Sequence, residues 1–280
     1  MNNFFRRTLT GIWIVILTLG GFWLHALSFY FTGLIILTGM IYEYYSIIKT
    51  SGIKPQIFLG ILTAITAYTM ASLVAAGIFP GEYLLVLVPL MLLIPVTELY
   101  RKQDRPFDSL AHTFFPLIYI GVPFALMPFS AYGQEGVEPL LRSTRLSFSP
   151  GIVIAFFLML YANDTGAYLT GMSFGRNRLM ERISPKKSWE GFIGGMIIAA
   201  IAAWFLGGWL GILPRPLWLV LAVIVSISGT YGDLIESMLK RSMGVKDSGT
   251  IMPGHGGFLD RFDSAIVAFP LMFLFILLFG

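Results

Sequence analysis

Acidic residues near the C-terminal end of the chain recur at helical spacing. Asp233, Glu236 and Lys240 fall at positions i, i+3 and i+7, which place them on one face of a helix. Asp260 and Asp263 share a face in the same way at the start of the last apolar segment. The chain has no cysteine and only 3 histidines, and carboxylate oxygens favour Mg²⁺ over softer metals. Two carboxylate-bearing helices that meet across one cavity would therefore form a magnesium site.

The segment between these two helices combines glycine with basic residues. Gly254, Gly256 and Gly257 allow backbone N–H groups to approach an anion closely. His255 could donate a hydrogen bond to a phosphate or carry a proton. Positive charge around the segment comes from Lys240, Arg241, Lys246 and Arg261. The alternative is a solvated loop whose glycines only make turns, but acidic, basic and glycine residues alternating over so short a span favour a phosphate site.

A second polar stretch covers residues 163–191. Asp164 stands inside an apolar segment, where an ionisable group costs about 2.5–3.5 kcal/mol, and this cost favours a functional role. Lys186 and Lys187 precede a predicted helix N-terminus, where an anion is stabilised. The alternatives are an interhelical hydrogen bond for Asp164, topology alone for the two lysines, and a helix cap for Ser188.

Composition places these residues in a membrane protein. Hydrophobic residues make up 56% of the 280 residues and charged residues only 12%, whereas soluble domains carry about 25% charge. Too little charge is left to cover the surface of a soluble fold of this length. The net charge of +4 fits the basic bias of cytoplasmic loops, so we do not expect a nucleic-acid partner.

Nine apolar segments approach the roughly 20 residues that a helix needs to cross a bilayer. They cover residues 8–24, 26–47, 56–79, 83–100, 110–132, 150–172, 190–212, 216–239 and 264–280. The predicted fold class is all-α, a polytopic integral membrane protein with about nine transmembrane helices. Residues 1–149 are predicted to form a helical scaffold, and residues 150–280 are predicted to carry the catalytic site.

Basic residues predict the orientation of these helices. With a cytoplasmic N-terminus, 16 of the 19 lysines and arginines lie on the cytoplasmic side, and the other side holds only Arg142, Arg145 and Arg215. Both polar stretches then face the cytoplasm, and the absence of organelle-targeting features indicates a bacterial inner membrane. Glu43 and Glu98, near cytoplasmic helix ends, are interpreted as reaching the membrane interface.

The two polar stretches resemble the signature of the phosphatidate cytidylyltransferase (CDP-diacylglycerol synthase) family. The resemblance is carried by Ser237–Arg241, Lys246–Gly249, Pro253–Gly257 and Leu259–Asp263, and in the second stretch by Asp164–Tyr168 and Ser184–Gly191. These motifs lie within residues 160–264. The first half of the chain is similar to the family only in its length and hydrophobicity.

The resemblance implies the reaction CTP + phosphatidate → CDP-diacylglycerol + pyrophosphate. It implies nine helices, a homodimer and a polar cavity that faces the cytoplasm. It also implies a two-cation centre at Asp233 and Asp260, with Mg²⁺ and a second cation that is K⁺ or Mg²⁺. The expected partners are CTP, phosphatidate and membrane lipids.

Roles for the other residues follow from this reaction. A phosphatidate oxygen would attack the α-phosphorus of CTP, so the protein would act mainly by positioning and charge neutralisation. We expect catalytic roles for Asp164, Lys240, Arg241, Lys246, His255 and Asp263. We expect substrate contacts from Lys186, Lys187, Ser188, Gly256, Gly257 and Arg261.

Two other functions stay open at this point. A CTP-dependent polyprenol or phytol kinase, from a distantly similar family, would phosphorylate a lipid alcohol and release CDP. An ion-coupled transporter would use buried carboxylates to carry protons or cations. Transporters often show inverted repeats across both halves, whereas here the polar residues crowd into one half.

Overall fold

The computed structural model describes residues 3–132, 147–249 and 256–280. These residues form ten α-helices and one β-hairpin. The helices are α1 (Asn3–Trp23), α2 (Ala26–Thr50), α3 (Ile57–Ala75), α4 (Leu87–Glu98), α5 (Pro106–Pro116), α6 (Val122–Ala131), α7 (Gly151–Phe174), α8 (Trp189–Leu210), α9 (Arg215–Ser242) and α10 (Leu259–Phe279). The strands are β1 (Arg178–Met180) and β2 (Ser184–Ser188). A 3₁₀ segment, Gly81–Val86, leads into α4, and a π-turn, Leu117–Gly121, joins α5 to α6.

Eight helical units in the described part of the chain are long and apolar enough to cross a membrane. They are α2, α3, the 3₁₀ segment with α4, the continuous α5–α6 unit, and α7 to α10. In α1, Trp13–Trp23 forms a shorter apolar stretch, and the predicted tight bend separates it from α2. The all-α polytopic membrane fold is therefore confirmed, and the predicted number of about nine is close to the eight found.

The two helices that carry the predicted metal ligands Asp233 and Asp260 extend beyond their predicted apolar spans. α9 ends at Ser242 rather than at 239, and α10 begins at Leu259 rather than at 264. The added turns contain Lys240 and Asp260, which pair with each other across the two helices. Because these charges are paired, a polar turn can remain helical at the end of each span, which hydropathy alone does not reveal.

A short antiparallel hairpin lies between α7 and α8. β1 pairs with β2 in a register that sets Arg178 opposite Ser188. Glu190, in the first turn of α8, accepts hydrogen bonds from the backbone N–H groups of Arg176 and Asn177 and ties the start of the hairpin to the helix. The segment lacks the alternation of apolar and polar residues that marks a strand, so the sequence does not predict it.

Aromatic side chains join the first and second halves of the chain in one core. Phe22 of α1 stacks on Phe157 of α7, with 5.4 Å between ring centroids. Phe157 meets Phe262 of α10 edge-on at 6.1 Å, and Phe156 meets Phe269 at 5.1 Å. All five side chains are buried. This packing fixes α1, α7 and α10 against one another and so positions the helices that carry the polar residues.

Successive spans run in opposite directions, so their polar ends gather. One end of the bundle is where α2, α4, α7 and α9 end and where α3, α5, α8 and α10 begin. We call it the basic end, because it carries Lys54, Arg101 and Lys187. Arg101 donates a hydrogen bond to the Lys54 carbonyl at 2.9 Å there. At the opposite end, Trp23 stacks on Trp209 at 5.9 Å. The two polar stretches of the sequence therefore reach the same end of the bundle.

Candidate active site

Three carboxylates from α9 and α10 meet at the basic end. Asp233, Glu236 and Asp263 each offer one oxygen atom, and these atoms lie within 4.8 Å of one another. Gly232 permits this approach, because a Cβ atom there would come 2.6 Å from the carbonyl oxygen of Asp263 and 3.0 Å from Ser264 Cα. The two backbones are thus in close contact beside the acidic side chains. We call Asp233, Glu236 and Asp263 the acidic cluster.

Lys187 reaches the acidic cluster from the hairpin. Its Nζ lies 2.6 Å from Asp233 Oδ2, and Ser237 Oγ donates a hydrogen bond to Asp233 Oδ1 at 3.2 Å. The residue after Lys187 is Ser188, whose Oγ accepts the N–H of Gly191 at 3.1 Å and caps α8. The strand and the cap together fix the position of the lysine. The predicted substrate contact of Ser188 stays a prediction beside this capping role.

Lys240 links the acidic cluster to a fourth carboxylate. Its Nζ lies 2.6 Å from Glu236 Oε2 and 2.5 Å from Asp260 Oδ1. Glu236 is 0% exposed, and its Oε1 has no hydrogen-bond partner among the residues that the structure describes. Burying a charged oxygen without a partner is costly, so an added cation next to Glu236 would be stabilised.

Asp260 accepts hydrogen bonds from residues on both flanks of the glycine-rich segment. Its Oδ2 accepts hydrogen bonds from the N–H and Oγ of Ser248, both at 2.9 Å, and from the N–H of Gly257 at 2.8 Å. Gly256 has φ +85°, and a Cβ atom there would collide with Asp260 Oδ2, so glycine is required beside this carboxylate. The Gly257 N–H, which we expected to face a substrate, is bonded to protein in this state. The contact of Asp260 with a metal stays a prediction.

Asp164 of α7 lies beside the acidic cluster. Its side chain is exposed, and Asn163 Nδ2 donates a hydrogen bond to its Oδ1 at 3.4 Å. Asp233, Lys187 and Arg261 are near enough to act on it electrostatically. The structure therefore brings α7, the hairpin, α9 and α10 to one site.

Other basic residues predicted for the site have exposed side chains at the basic end. Lys186, Arg241 and Lys246 have exposed side chains, and none of the three forms an ion pair with another described residue. Arg261 is also exposed, and it interacts with Asp164. His255 lies outside the described residues. Lys186 and Arg241 are thus exposed basic side chains next in sequence to Lys187 and Lys240, which contact the acidic cluster.

Glu43 of α2 also contacts this region, and sequence analysis misses its role. It is 2% exposed and accepts hydrogen bonds from Ser248 Oγ, Phe258 N–H and Leu259 N–H. Glu98 is likewise buried, at 4% exposure. The interpretation that these two side chains reach the membrane interface is wrong, because both are buried inside the protein. The sequence feature that could have indicated a role for Glu43 is its position as an acidic residue inside an apolar segment.

Tyr119 approaches the acidic cluster from the π-turn between α5 and α6. Its hydroxyl is buried, with no hydrogen-bond partner within the described part of the chain, and all three carboxylates are near enough to act on it electrostatically. Pro123 lacks the N–H that would bond the Tyr119 carbonyl in a regular helix, which favours an irregular turn here. Such π-turns are frequent at functional sites.

Comparison with known proteins places this arrangement in a family. A model of the Cytidylyltransferase family matches residues 5–279. The chain belongs to the Cytidylyltransferase family.

Three similar proteins from bacteria carry the name phosphatidate cytidylyltransferase. The Staphylococcus haemolyticus (strain JCSC1435) protein is 39% identical over 187 residues, which are 65% of this chain and 64% of that protein. The Bacillus subtilis (strain 168) protein is 35% identical over 197 residues, 69% of this chain and 68% of that one. The Staphylococcus aureus (strain COL) protein is 38% identical over 173 residues, 61% and 60% of the two chains. The chain thus spans about two thirds or less of the length of the relatives it matches.

In this member of the Cytidylyltransferase family, the acidic cluster could hold a hard divalent cation. All three of its ligands are carboxylates, and Mg²⁺ usually binds one or two carboxylates together with substrate phosphates. The unpartnered oxygen of Glu236 is an observation in favour of this fit. Lys187 and Lys240 compensate part of the negative charge. The site can therefore bring positive charge next to phosphate groups at the end of the bundle.

Proposed function

We propose that this chain is a CTP:phosphatidate cytidylyltransferase, a nucleotidyltransferase that forms CDP-diacylglycerol and pyrophosphate. The observation that carries the proposal is the acidic cluster with Lys187 and Lys240 at the basic end of a Cytidylyltransferase-family chain. The names of the similar bacterial proteins support the same substrates. CTP and phosphatidate are accordingly proposed as the substrates of this chain.

The chemistry requires two polyanions to come together. A phosphatidate oxygen forms a bond to the α-phosphorus of CTP, the bond from that phosphorus to the bridging oxygen breaks, and pyrophosphate leaves with the electron pair. The nucleophile is already an anion, so it needs little help from a base. Positioning and neutralisation of charge supply the catalysis in such phosphoryl transfers. Ion-paired lysines fixed by a helix and a capped hairpin are suited to that task.

A bound Mg²⁺ would neutralise charge on the phosphate oxygens of CTP. We propose that Asp233, Glu236 and Asp263 hold it, because their oxygens already converge. The family resemblance instead predicts a two-cation centre at Asp233 and Asp260, with K⁺ or Mg²⁺ as the second ion. Lys240 provides a positive charge beside Asp260, and the assignment of Asp260 as a ligand is part of what must be tested.

Basic residues around the acidic cluster are proposed to bind the phosphates. Lys187 and Lys240 would exchange part of their contact with the carboxylates for contact with substrate oxygens. Arg261, which acts electrostatically on Asp164, would contribute a further positive charge. Exposed basic side chains at the basic end would attract the substrates from solution and from the lipid surface: Lys186, Arg241 and Lys246.

The basic end is proposed to face the cytoplasm across a bacterial inner membrane. Lysine and arginine accumulate on the cytoplasmic side of membrane proteins, and 16 of the 19 such residues lie at this end of the predicted spans. The similar proteins are bacterial. CTP, a soluble nucleotide, and phosphatidate, a membrane lipid, can meet there. The homodimer that the family resemblance implies is part of the proposal.

The test is to incubate the purified protein with CTP labelled at its α-phosphate, Mg²⁺ and phosphatidate. We expect label in the lipid phase as CDP-diacylglycerol and pyrophosphate in the aqueous phase. Neither product should form when phosphatidate is omitted or Mg²⁺ is chelated. Release of CDP with phosphorylation of an added polyprenol would identify a lipid kinase instead. Ion flux across proteoliposomes without nucleotide, and without lipid product, would favour a transporter.

A further inference from the structure

Glu43 is a buried carboxylate that the proposed reaction does not use. It lies two turns before the end of α2, at the basic end. Its Oε1 accepts the N–H of Phe258 at 3.0 Å, and its Oε2 accepts the N–H of Leu259 at 2.8 Å. The first N–H groups of a helix have no partner inside that helix, and Phe258 provides no side-chain cap for α10. Glu43 therefore caps α10 from a distant part of the sequence.

The same carboxylate contacts the segment that precedes α10. Ser248 Oγ lies 3.1 Å from Glu43 Oε2 and 2.9 Å from Asp260 Oδ2. A serine hydroxyl has one proton, so it donates to only one of the two carboxylates at a time. A Cβ atom at Gly249 would come 2.7 Å from Glu43 Oε1, and one at Gly257 would collide with the same carboxylate. Glu43 is thus enclosed by the two flanks of the glycine-rich segment.

Glu98, a second buried carboxylate in the first half of the chain, provides a comparison because its contacts are structural. Glu98 accepts a hydrogen bond from Gln56 Nε2 at 2.5 Å and pairs with Arg101 at 2.8 Å. Gln56 directly precedes α3 and Arg101 follows α4, and neither is a candidate site residue. The partners of Glu43, by contrast, are the immediate neighbours of Asp260 in sequence and in space.

We propose that Glu43 is a positioning residue for the reaction, and this inference rests on the proposed function. By capping α10 it sets where that helix begins, and therefore where Asp260 and Asp263 stand relative to α9. A negative charge at a helix N-terminus is also stabilised by the helix dipole. The first half of the chain thereby contributes to the geometry of the site through a residue that does not touch the substrate.

The test compares Glu43→Gln with wild type and with Glu98→Gln as the matched control. Glutamine has a single acceptor oxygen, so one of the two N–H groups of α10 loses its partner. We expect kcat for CDP-diacylglycerol formation to fall at least about 10-fold, the scale for residues that orient ligands, with little change in KM for CTP. Amide hydrogen exchange in residues 256–262 should be faster. Glu98→Gln should change neither quantity.

Each result bears on the proposal. Normal exchange in residues 256–262 of Glu43→Gln, or faster exchange with unchanged kcat, would overturn it. If Glu43→Gln does not fold, Glu43→Asp keeps the charge with a shorter reach and should show the same changes to a smaller extent. If wild type forms no CDP-diacylglycerol, the proposed function fails, and the exchange comparison still decides whether Glu43 positions the start of α10.

Discussion

The charges of the acidic cluster explain why two lysines are embedded in it. A buried carboxylate that loses its partner is strongly destabilising, and three carboxylates lie here within one site. Lys187 pairs with Asp233, and Lys240 pairs with Glu236. The third member, Asp263, is buried and accepts the N–H of Ser264 at 2.6 Å. The lysines therefore compensate only part of the negative charge, and a divalent cation would offset the remainder.

Asp263→Asn tests whether the acidic cluster holds that cation. An amide oxygen carries no net charge and is a weaker ligand, so the Mg²⁺ concentration for half-maximal product formation should rise at least about 10-fold. The measurement is a Mg²⁺ titration of CDP-diacylglycerol formation. Asp108→Asn is the control, because Asp108 is an acidic residue of α5 at the basic end that pairs only with the exposed Arg105 among the described residues. Its Mg²⁺ requirement should equal that of wild type.

Asp260→Asn separates the two assignments of the metal. In the structure Asp260 pairs with Lys240 and holds Ser248, so its loss should abolish nearly all activity at every Mg²⁺ concentration while the protein stays folded in detergent. If the activity of Asp260→Asn recovers at high Mg²⁺ and Asp263→Asn has a normal Mg²⁺ requirement, then Asp260 rather than Asp263 is the metal ligand. Full activity of Asp260→Asn would remove it from the site altogether.

The crossing of α9 and α10 determines whether the acidic residues can meet. Gly232→Ala places a methyl group 2.6 Å from the backbone carbonyl oxygen of Asp263, and that oxygen cannot move unless the helices separate. We expect most activity to be lost and the free energy of unfolding to fall by about 1–3 kcal/mol, the usual cost of overpacking. Product formation and thermal unfolding in detergent measure the two effects.

Gly229→Ala is the matched control for this crossing, one turn earlier on the same helix. A Cβ atom there would first meet Leu160 Cδ2 at 2.9 Å, which is the end of a flexible side chain, and Ser264 Cβ only at 3.6 Å. It should therefore be tolerated much better than Gly232→Ala. Equal tolerance of both substitutions would show that the close approach at Gly232 is not what aligns the carboxylates.

Hydropathy predicts most of the helices because the bilayer imposes a length on each apolar segment. It does not predict where α9 ends and α10 begins, since those turns depend on the pairing of Lys240 with Asp260 across the two helices. Residue type and spacing predict which acidic residues of α9 share a face. They do not reveal the role of Glu43, because its partners lie more than 200 residues away and Glu98 has the same local pattern.

At the scale of the whole molecule, two polar assemblies of described residues share the basic end. One is the candidate active site, and the other joins the residue before α3 to α4 through the hydrogen bond of Gln56 to Glu98. Tyr45 of α2 donates a hydrogen bond to the carbonyl of Thr113 in α5 at 2.9 Å. Because α2 also carries Glu43, the same helix contacts both α5 and the start of α10. The predicted division of roles between residues 1–149 and residues 150–280 stays a prediction. It has to include the contribution of Glu43, which lies in residues 1–149.

The orientation of the bundle can be tested with single cysteines, because the chain contains none. Asp104, between α4 and α5 at the basic end, and Glu82, before α4 at the opposite end, both have exposed side chains. Basic residues favour the cytoplasmic side. A membrane-impermeant maleimide should therefore label Asp104→Cys only in inverted membrane vesicles and Glu82→Cys only in spheroplasts or protoplasts. The two substitutions remove the same charge and spare the site, so each serves as the control for the other. The reverse pattern would place the acidic cluster outside the cell, away from CTP, and would contradict both the orientation and the proposed substrate.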